Sequence, residues 1–411
     1  MKSKYLLGAA IAFAIPASAV ATPLADASSK ITAPRLLPQT QADLINGNNE
    51  VAPDEFTGVG ELVMFQNNGQ AFVCTASLIS ADTLLSASHC LDFGDRGTRG
   101  QGYDRIEFRT GTNWRQPEAV YQVESILLNP DYIGFGEPNG PENDIALLKL
   151  SAPVSNGEEI YSIYRDSDEH GQIHTKVGGG TTGYGANGTT PTPSAADRAN
   201  GARGGLDGIK RSGVNIWENI NNGLGYSDNF LLADFDNGTD ANNLFEKLDI
   251  ALEFFGIDNG EFGGTGVRDA NGNVIDYGVG GGDSGGPTFI NGLIAGVTSF
   301  GSTFSPFFGG CGPGAGADYN GDGVISDFEM SPDFDSSEQG EATFSTARNG
   351  CLNSSWGELN GDTRVSRYQD FVDAGLNGDL AFSLLVPAPG AIGLLGLGVL
   401  GLVAARRRRA A

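Results

Sequence analysis

Gly282-Asp283-Ser284-Gly285-Gly286-Pro287 sets one serine among three glycines and beside a carboxylate. With no side chains in the way, the backbone N–H groups of such a turn can approach a substrate carbonyl closely. Serine is a weak nucleophile at its own pKa and needs a base within hydrogen-bond reach. The chain has three histidines, His89, His170 and His174, and all of them precede Ser284. Around the motif the sequence breaks into short apolar runs: VGELVMF from Val59, FVCTASLI from Phe72, TLLSAS from Thr83, RIEFR from Arg105, DIALLKL from Asp144 and GLIAGVTSF from Gly292. Runs this short, bounded by Gly, Asn and Asp, argue an all-β sandwich or barrel. Asn271-Gly272 and Asn291-Gly292 are candidate hairpin turns, and residues 178–205, rich in Gly, Thr and Ala, read as a surface loop.

Composition agrees. Among 411 residues there are 62 glycines, roughly twice ordinary usage, and only 18% charged residues, which excludes a coiled coil or helical bundle. Hydrophobic residues at 39%, with 23 Phe, supply a core and exclude wholesale disorder. Fifty acidic against 25 basic residues leave a formal charge of -25, which argues against a nucleic-acid partner.

The ends carry processing signals. Lys2 and Lys4, an apolar run from Tyr5 to Ile15 and small residues at Ala17, Ala19 and Ala21 make residues 1–21 an export signal peptide. Residues 22–43, with Pro23, Pro34 and Pro38, read as a pro-segment or linker. At the other end, Val386-Pro-Ala-Pro389, an apolar stretch from Gly390 to Ala405 and Arg406–Arg409 form a tripartite tail. This segment, 386–411, resembles the PEP-CTERM sorting signal of Gram-negative bacteria, cut by an exosortase-type enzyme. Ala388 stands where that signal carries Glu, and a short permanent anchor is the alternative. Either way the arginines stay on the cytoplasmic side, leaving the body exported, in the cell envelope or outside it.

G-x-S-x-G also occurs in the nucleophile elbow of α/β-hydrolases, but that fold places its His after the Ser. The order here requires another reading. Ser86-Ala-Ser-His-Cys90 resembles the T-A-A-H-C segment of the chymotrypsin family, and Cys74-Thr-Ala-Ser-Leu-Ile79 resembles the C-G-G-S-L-I strand before it. Asn143-Asp-Ile-Ala-Leu-Leu148 is similar to the strand carrying the family's buried Asp. Thr298-Ser-Phe-Gly301 is similar to V-S-W-G, Gly183-Tyr-Gly185 to G-W-G, and Thr363–Tyr368 with Phe371 to the start of the C-terminal helix. The resemblance implies two six-stranded Greek-key barrels over residues 44–380 with a short C-terminal helix. It also implies a serine endopeptidase acting on proteins or peptides, working as a monomer. In it, Ser284 is the nucleophile, His89 the general base, Asp144 the group that orients His89, and the N–H groups of Gly282 and Ser284 the oxyanion hole.

The same resemblance makes Ser299, Phe300 and Gly301 the substrate-backbone strand and Gly278, six residues before Ser284, the base of the primary pocket. With no carboxylate at Gly278, an apolar P1 side chain is expected; Asp276 lies two residues away. Activation in the family pairs a newly cut amino terminus with the Asp beside the nucleophile, here Asp283. Leu44-Ile-Asn-Gly47, preceded by Asp43, is the expected new terminus. Residues 302–357 form an insertion containing Asp318-Tyr-Asn-Gly-Asp-Gly-Val-Ile-Ser-Asp-Phe-Glu329. Asp318, Asn320, Asp322, Val324 through its carbonyl, Ser326 and Glu329 occupy EF-hand ligand positions, so a structural Ca2+ is expected, against the bland alternative of an acidic turn. Four cysteines permit three pairings; the family's disulfide implies Cys74 with Cys90, which leaves Cys311 with Cys351. His170 and His174, four apart, lack the zincin pattern and read as surface loop. The rival reading of the whole is a catalytically silent, surface-displayed calcium or adhesion module on the same fold.

Overall fold

The computed structural model describes residues 37–48, 50–66, 70–92, 103–134, 141–185, 188–218, 227–238, 243, 245, 266–302 and 358–385. The expected signal peptide, calcium loop, Cys311, Cys351 and the sorting tail beyond residue 385 lie outside them. After helix α1 (Gln41–Asn46), six strands build the first unit: β1 (Val59–Gln66), β2 (Ala71–Leu78), β3 (Thr83–Ser86), β4 (Tyr103–Thr110), β5 (Ala119–Leu128) and β6 (Ala146–Leu150). Their order is β5-β4-β1-β2-β3-β6, and β5 pairs back to β6, closing the barrel. Leu62, Met64, Leu78, Leu84, Ile106, Phe108 and Leu148 fill it. Each side chain of this size contributes roughly 1.5–3 kcal/mol when buried.

The second unit adds β7 (Ile173–Gly178), the short pair β8 (Gly183–Tyr184) and β9 (Gly188–Thr189), helix α2 (Ala195–Ala199), β10 (Arg211–Ile216), β11 (Phe230–Asp234), β12 (Pro287–Ile290), β13 (Leu293–Ser302) and β14 (Leu359–Arg364). Six of these strands form a sheet in the order β10-β7-β12-β13-β14-β11. Among the described residues the ladder itself is a half-barrel, whose edge strands β10 and β11 are joined where Asn215 Nδ2 donates to Asp234 O at 2.7 Å and Glu218 N–H donates to Leu232 O at 3.1 Å. Asn291-Gly292 makes the expected tight turn between β12 and β13, with φ of 49° and 80°. Asn271-Gly272 instead sits in a wider turn in which the Asp269 carboxylate accepts the N–H groups of Asn271 and Asn273. From β14 a 3-10 turn (Val365–Tyr368) leads into α3 (Gln369–Asn377), the expected C-terminal helix. Val365, Tyr368 and Val372 pack into the first barrel, and β15 (Ser383–Leu384) pairs with β5, so the chain end ties the units together.

Three expectations need correction. Residues 178–180 are not surface loop: they are buried between the units, where a Cβ on Gly179 would lie 2.1 Å from Glu61 Oε1 and one on Gly180 2.4 Å from Asp283 N. Small size, not flexibility, explains those glycines. His174 is not on a loop either; it lies on β7 at 1% exposure, its ring 4.1 Å from that of Trp217 and its Nε2 3.0 Å from Tyr277 Oη. Third, residues 37–43 are folded onto the β-sheet body, and α1 runs across the boundary expected between Asp43 and Leu44.

Candidate active site

The two units meet where the sequence motifs converge. His89 follows β3, in a turn whose Ser88 Oγ donates to Ile145 O at 2.7 Å. This ties the His segment to the Asp segment. The His89 backbone N–H donates to Asp144 Oδ1 at 2.8 Å, and Nδ1–H donates to Oδ2 at 2.7 Å. A carboxylate only accepts, so the proton of this bond sits on Nδ1, which leaves Nε2 as the ring nitrogen facing away from Asp144. Asp144 is fully buried. Its other support comes from the second unit: Ser299 Oγ donates to Oδ2 at 2.5 Å, and Thr363 Oγ1 donates to the Asp144 carbonyl at 2.9 Å. Asn143, with φ of 60°, turns the chain just before Asp144 and is held through its side chain by Asp131 O and Tyr368 Oη.

Cys74 and Cys90 form the expected disulfide. Cys90 Sγ lies 3.8 Å from His89 Nε2 and 3.7 Å from the Ser284 carbonyl oxygen, so the His ring and the Ser284 turn rest against one sulfur. The turn is pinned by Thr75, whose N–H donates to Ser284 O at 2.8 Å and whose Oγ1 donates to Gly282 O at 3.0 Å. With those carbonyls directed at Thr75, the N–H groups of Gly282 and Ser284 have no acceptor among the described residues. Gly285, at φ of 79°, has no room for a side chain, since a Cβ would meet Ser86 Oγ at 2.1 Å.

Asp283 is buried and turned away from the serine. Its Oδ1 accepts Gly180 N–H at 2.9 Å and its Oδ2 accepts Gly280 N–H at 2.8 Å. Burial pushes its pKa up to about 6, against the opposing pull of those donors and of Lys176 and Arg211. Leu44 does not reach it: Leu44 lies buried inside α1 with its N–H donating to Thr40 O at 3.2 Å. Ser299 is the bulged residue of β13, where the register on β14 shifts between Thr298 and Phe300. That bulge explains how Ser299, expected on the substrate-backbone strand, turns its hydroxyl to Asp144. Phe300 packs edge-on against Phe230, and Gly301 pairs with Asn360.

Gly278, at the expected pocket base, gives its carbonyl to Leu37 N–H at 3.2 Å. Beside it Val279 N–H donates to Asn360 Oδ1 at 3.3 Å. Asp276 points elsewhere, its Oδ1 accepting Val267 N–H at 2.7 Å. It neighbours a group that sequence reading missed: Glu218, Asp234 and Asp236, which each bring one carboxylate oxygen to within 4.8 Å of the other two in the interior. Burial and then its acidic neighbours hold Glu218 well above the usual carboxylate range, so protons stabilise this group. The spacing of two between Asp234, the last residue of β11, and Asp236 just beyond it could have flagged that pair.

The barrel and the half-barrel bring the His89, Asp144 and Ser284 segments together at their junction. Residues 45–243 match the family model described as Trypsin, and residues 385–409 match that of the PEP-CTERM protein-sorting motif. The chain carries a trypsin-family domain and a PEP-CTERM protein-sorting motif at its C-terminal end. Among curated proteins it is 30% identical over 164 residues to CLIP domain-containing serine protease B10 of Anopheles gambiae, covering 35% of this chain and 44% of that one. Serine protease SSP1 of Scolopendra subspinipes is 25% identical over 147 residues, covering 34% and 49% respectively. The chain thus matches half or less of the length of these relatives. Among solved structures, HL collagenase aligns over 81% of this chain and 98% of its own at 16% identity and a TM-score of 0.43. Neuropsin of mouse brain gives 80%, 98%, 15% and 0.43.

Proposed function

We propose that the protein is an exported serine endopeptidase that hydrolyses peptide bonds through an acyl-enzyme formed on Ser284. The observation that carries this reading is the Nδ1–H bond from His89 to the buried Asp144 carboxylate, with the Ser284 turn held against the same disulfide as the His ring. His89 Nε2 takes the Ser284 hydroxyl proton as Oγ attacks the carbonyl carbon. The imidazolium is stabilised by Asp144, and the same proton then passes to the leaving amine. The oxyanion is received by the N–H groups of Gly282 and Ser284, a contribution of about 3–4 kcal/mol per donor. Water deacylates the enzyme by the reverse sequence of proton transfers.

The pocket reading is an apolar P1 residue. Gly278 brings no carboxylate, and Asp276 is engaged at Val267. The loop from Asp318 to Glu329 is read as a Ca2+ site on its ligand spacing. The C-terminal motif is read as directing the exported chain to an exosortase-type enzyme at the cell envelope.

A fluorophosphonate probe tests the central reading. Labelling of wild type that disappears in Ser284→Ala supports an activated serine. Absence of labelling in correctly processed wild type would leave the silent-module reading in its place.

A further inference from the structure

A peptide group is planar and trans, so its C=O and N–H point in opposite directions and fixing one fixes the other. The Gly282 N–H, read above as half of the oxyanion hole, belongs to the peptide whose carbonyl is that of Gly281. That carbonyl is held from outside the turn. Thr181 N–H donates to Gly281 O at 2.8 Å, and Thr181 Oγ1 donates to the same oxygen at 2.9 Å. With the carbonyl facing Thr181, the Gly282 N–H faces the opposite way, where no acceptor stands among the described residues.

Nothing local selects that orientation. Gly281 and Gly282 lack Cβ atoms, and reversing the peptide between them changes only ψ of the first and φ of the second. Gly282 sits at φ of 107°, a value that side chains disfavour, and a Cβ built on Gly281 meets nothing within 4 Å among the described residues. The reversed peptide would turn the Gly281 carbonyl toward the developing oxyanion and repel it. The next peptide is held separately, its Gly282 carbonyl accepting Thr75 Oγ1–H at 3.0 Å. Thr181 is itself fixed by the chain on either side of it. Gly180 N–H donates to Asp283 Oδ1 at 2.9 Å, and Thr182 N–H donates to Gly205 O at 2.9 Å. The contact has no slack, since a Cβ on Gly280 would lie 2.0 Å from Thr181 O.

We propose that Thr181 is a positioning residue for the oxyanion hole: its hydroxyl, together with its N–H, keeps the Gly281–Gly282 peptide in the orientation that offers the Gly282 N–H to the substrate carbonyl. Thr181 contributes no atom to the reaction. It sets the fraction of molecules in which the hole is formed. Acylation and deacylation both scale with that fraction, whereas binding of ground-state substrate does not. Losing one ordinary hydrogen bond shifts such an equilibrium by roughly twofold to tenfold. The proposal rests on the serine-hydrolase reading for its effect on rate, and on peptide geometry alone for its effect on structure.

The test uses the full chain as secreted and compares wild type with Thr181→Val, Thr181→Ala and Thr181→Ser. Thr181 is half-buried, so none of these changes opens a cavity in the core. Three quantities are measured: kinetics on a peptide ester with an apolar P1 residue, the rate of fluorophosphonate labelling, and the crystal structures of the unliganded proteins. Thr181→Val and Thr181→Ala should lower kcat and the labelling rate about threefold in parallel, with KM unchanged. Their crystals should show the reversed peptide at a matching occupancy, and Thr181→Ser should return all three quantities to wild-type values. An unchanged kcat in both variants lacking the hydroxyl, or a fall that Thr181→Ser does not restore, overturns the proposal. A rise in KM alone also overturns it, making Thr181 a substrate contact. A peptide that keeps its orientation in both variants overturns it whatever the activity. Wild type that is neither active nor labelled, with a peptide that reverses in Thr181→Val, upholds the positioning and sinks the hydrolase reading instead.

Discussion

Ser299 Oγ donates to Asp144 Oδ2 at 2.5 Å, on the same oxygen that accepts His89 Nδ1–H. The residue that orients the general base is thus itself fixed from the opposite unit. Ser299→Ala removes a hydrogen bond to a charged group, of the kind worth about 1.5–3 kcal/mol. Loss of that anchor loosens the carboxylate that orients His89, so kcat should fall about tenfold with KM unchanged. An unchanged kcat would show that Ser299 only fills space.

Asp144→Asn keeps the shape of the site but leaves His89 with the wrong tautomer. In a Ser-His-Asp triad this change costs about 10⁴ in kcat, and a loss of that order is expected here with an unchanged melting temperature. Stopped-flow kinetics on a peptide ester, alongside circular dichroism, checks both halves. Retention of a tenth of the activity would remove Asp144 from the mechanism.

Glu61 makes stability depend on pH. Burial pushes its pKa up to about 8, with Lys210 opposing. The folded protein keeps this proton above the ordinary Glu range, where the unfolded chain has released it. Unfolded chains then bind fewer protons, so stability falls as pH rises from the ordinary Glu range to about 8, at about 1.4 kcal/mol per pH unit for one such group. Glu61→Gln should match wild type near the acidic end of that window and exceed it at the basic end in urea unfolding. Parallel profiles for the two proteins would refute the assignment.

Lys176 and Asp362 form an ion pair inside the half-barrel, at 1% and 3% side-chain exposure. Asp362 also accepts Trp217 Nε1–H at 3.1 Å and Thr288 Oγ1–H at 3.0 Å. Lys176→Met leaves a buried carboxylate without its cation, and a loss of roughly 3–5 kcal/mol is expected. Chemical denaturation measures it; a change below about 1 kcal/mol would mean that Asp362 takes up a proton at little cost.

If residues 318–329 bind Ca2+ in the folded state alone, chelation should lower the melting temperature. At a free concentration 100 times Kd the stabilisation is about 2.7 kcal/mol. Glu329→Gln should abolish the Ca2+-dependent part while leaving the chelated protein unchanged. A melting curve indifferent to Ca2+ would reduce the loop to an acidic turn.

The His89, Asp144 and Ser284 segments are legible in the sequence because each is a local device: a strand end, a turn and a glycine-rich loop, whose residue types are dictated within a few positions. The Cys74–Cys90 pair is legible only through the family resemblance, which picks it from three possible pairings. His174 is not, because a histidine flanked by Gly171 and Lys176 looks solvent-facing, and only β7 lying between β10 and β12 buries it. The Gly178–Gly180 run looks like loop because one string of letters cannot separate glycine chosen for freedom from glycine chosen for smallness.

Turn chemistry and strand patterning by themselves specified a turn-rich all-β fold, and resemblance to known motifs marked the His89, Asp144 and Ser284 segments and the C-terminal sorting motif, since each of these is local in the sequence. Tertiary structure decided what depends on distant groups meeting. It set Ser299 on Asp144 across 155 positions, gathered Glu218, Asp234 and Asp236 in one interior, and seated Leu37 against Gly278. Burial removes water as the competing partner, so a residue's meaning there is fixed by whichever neighbour the fold supplies.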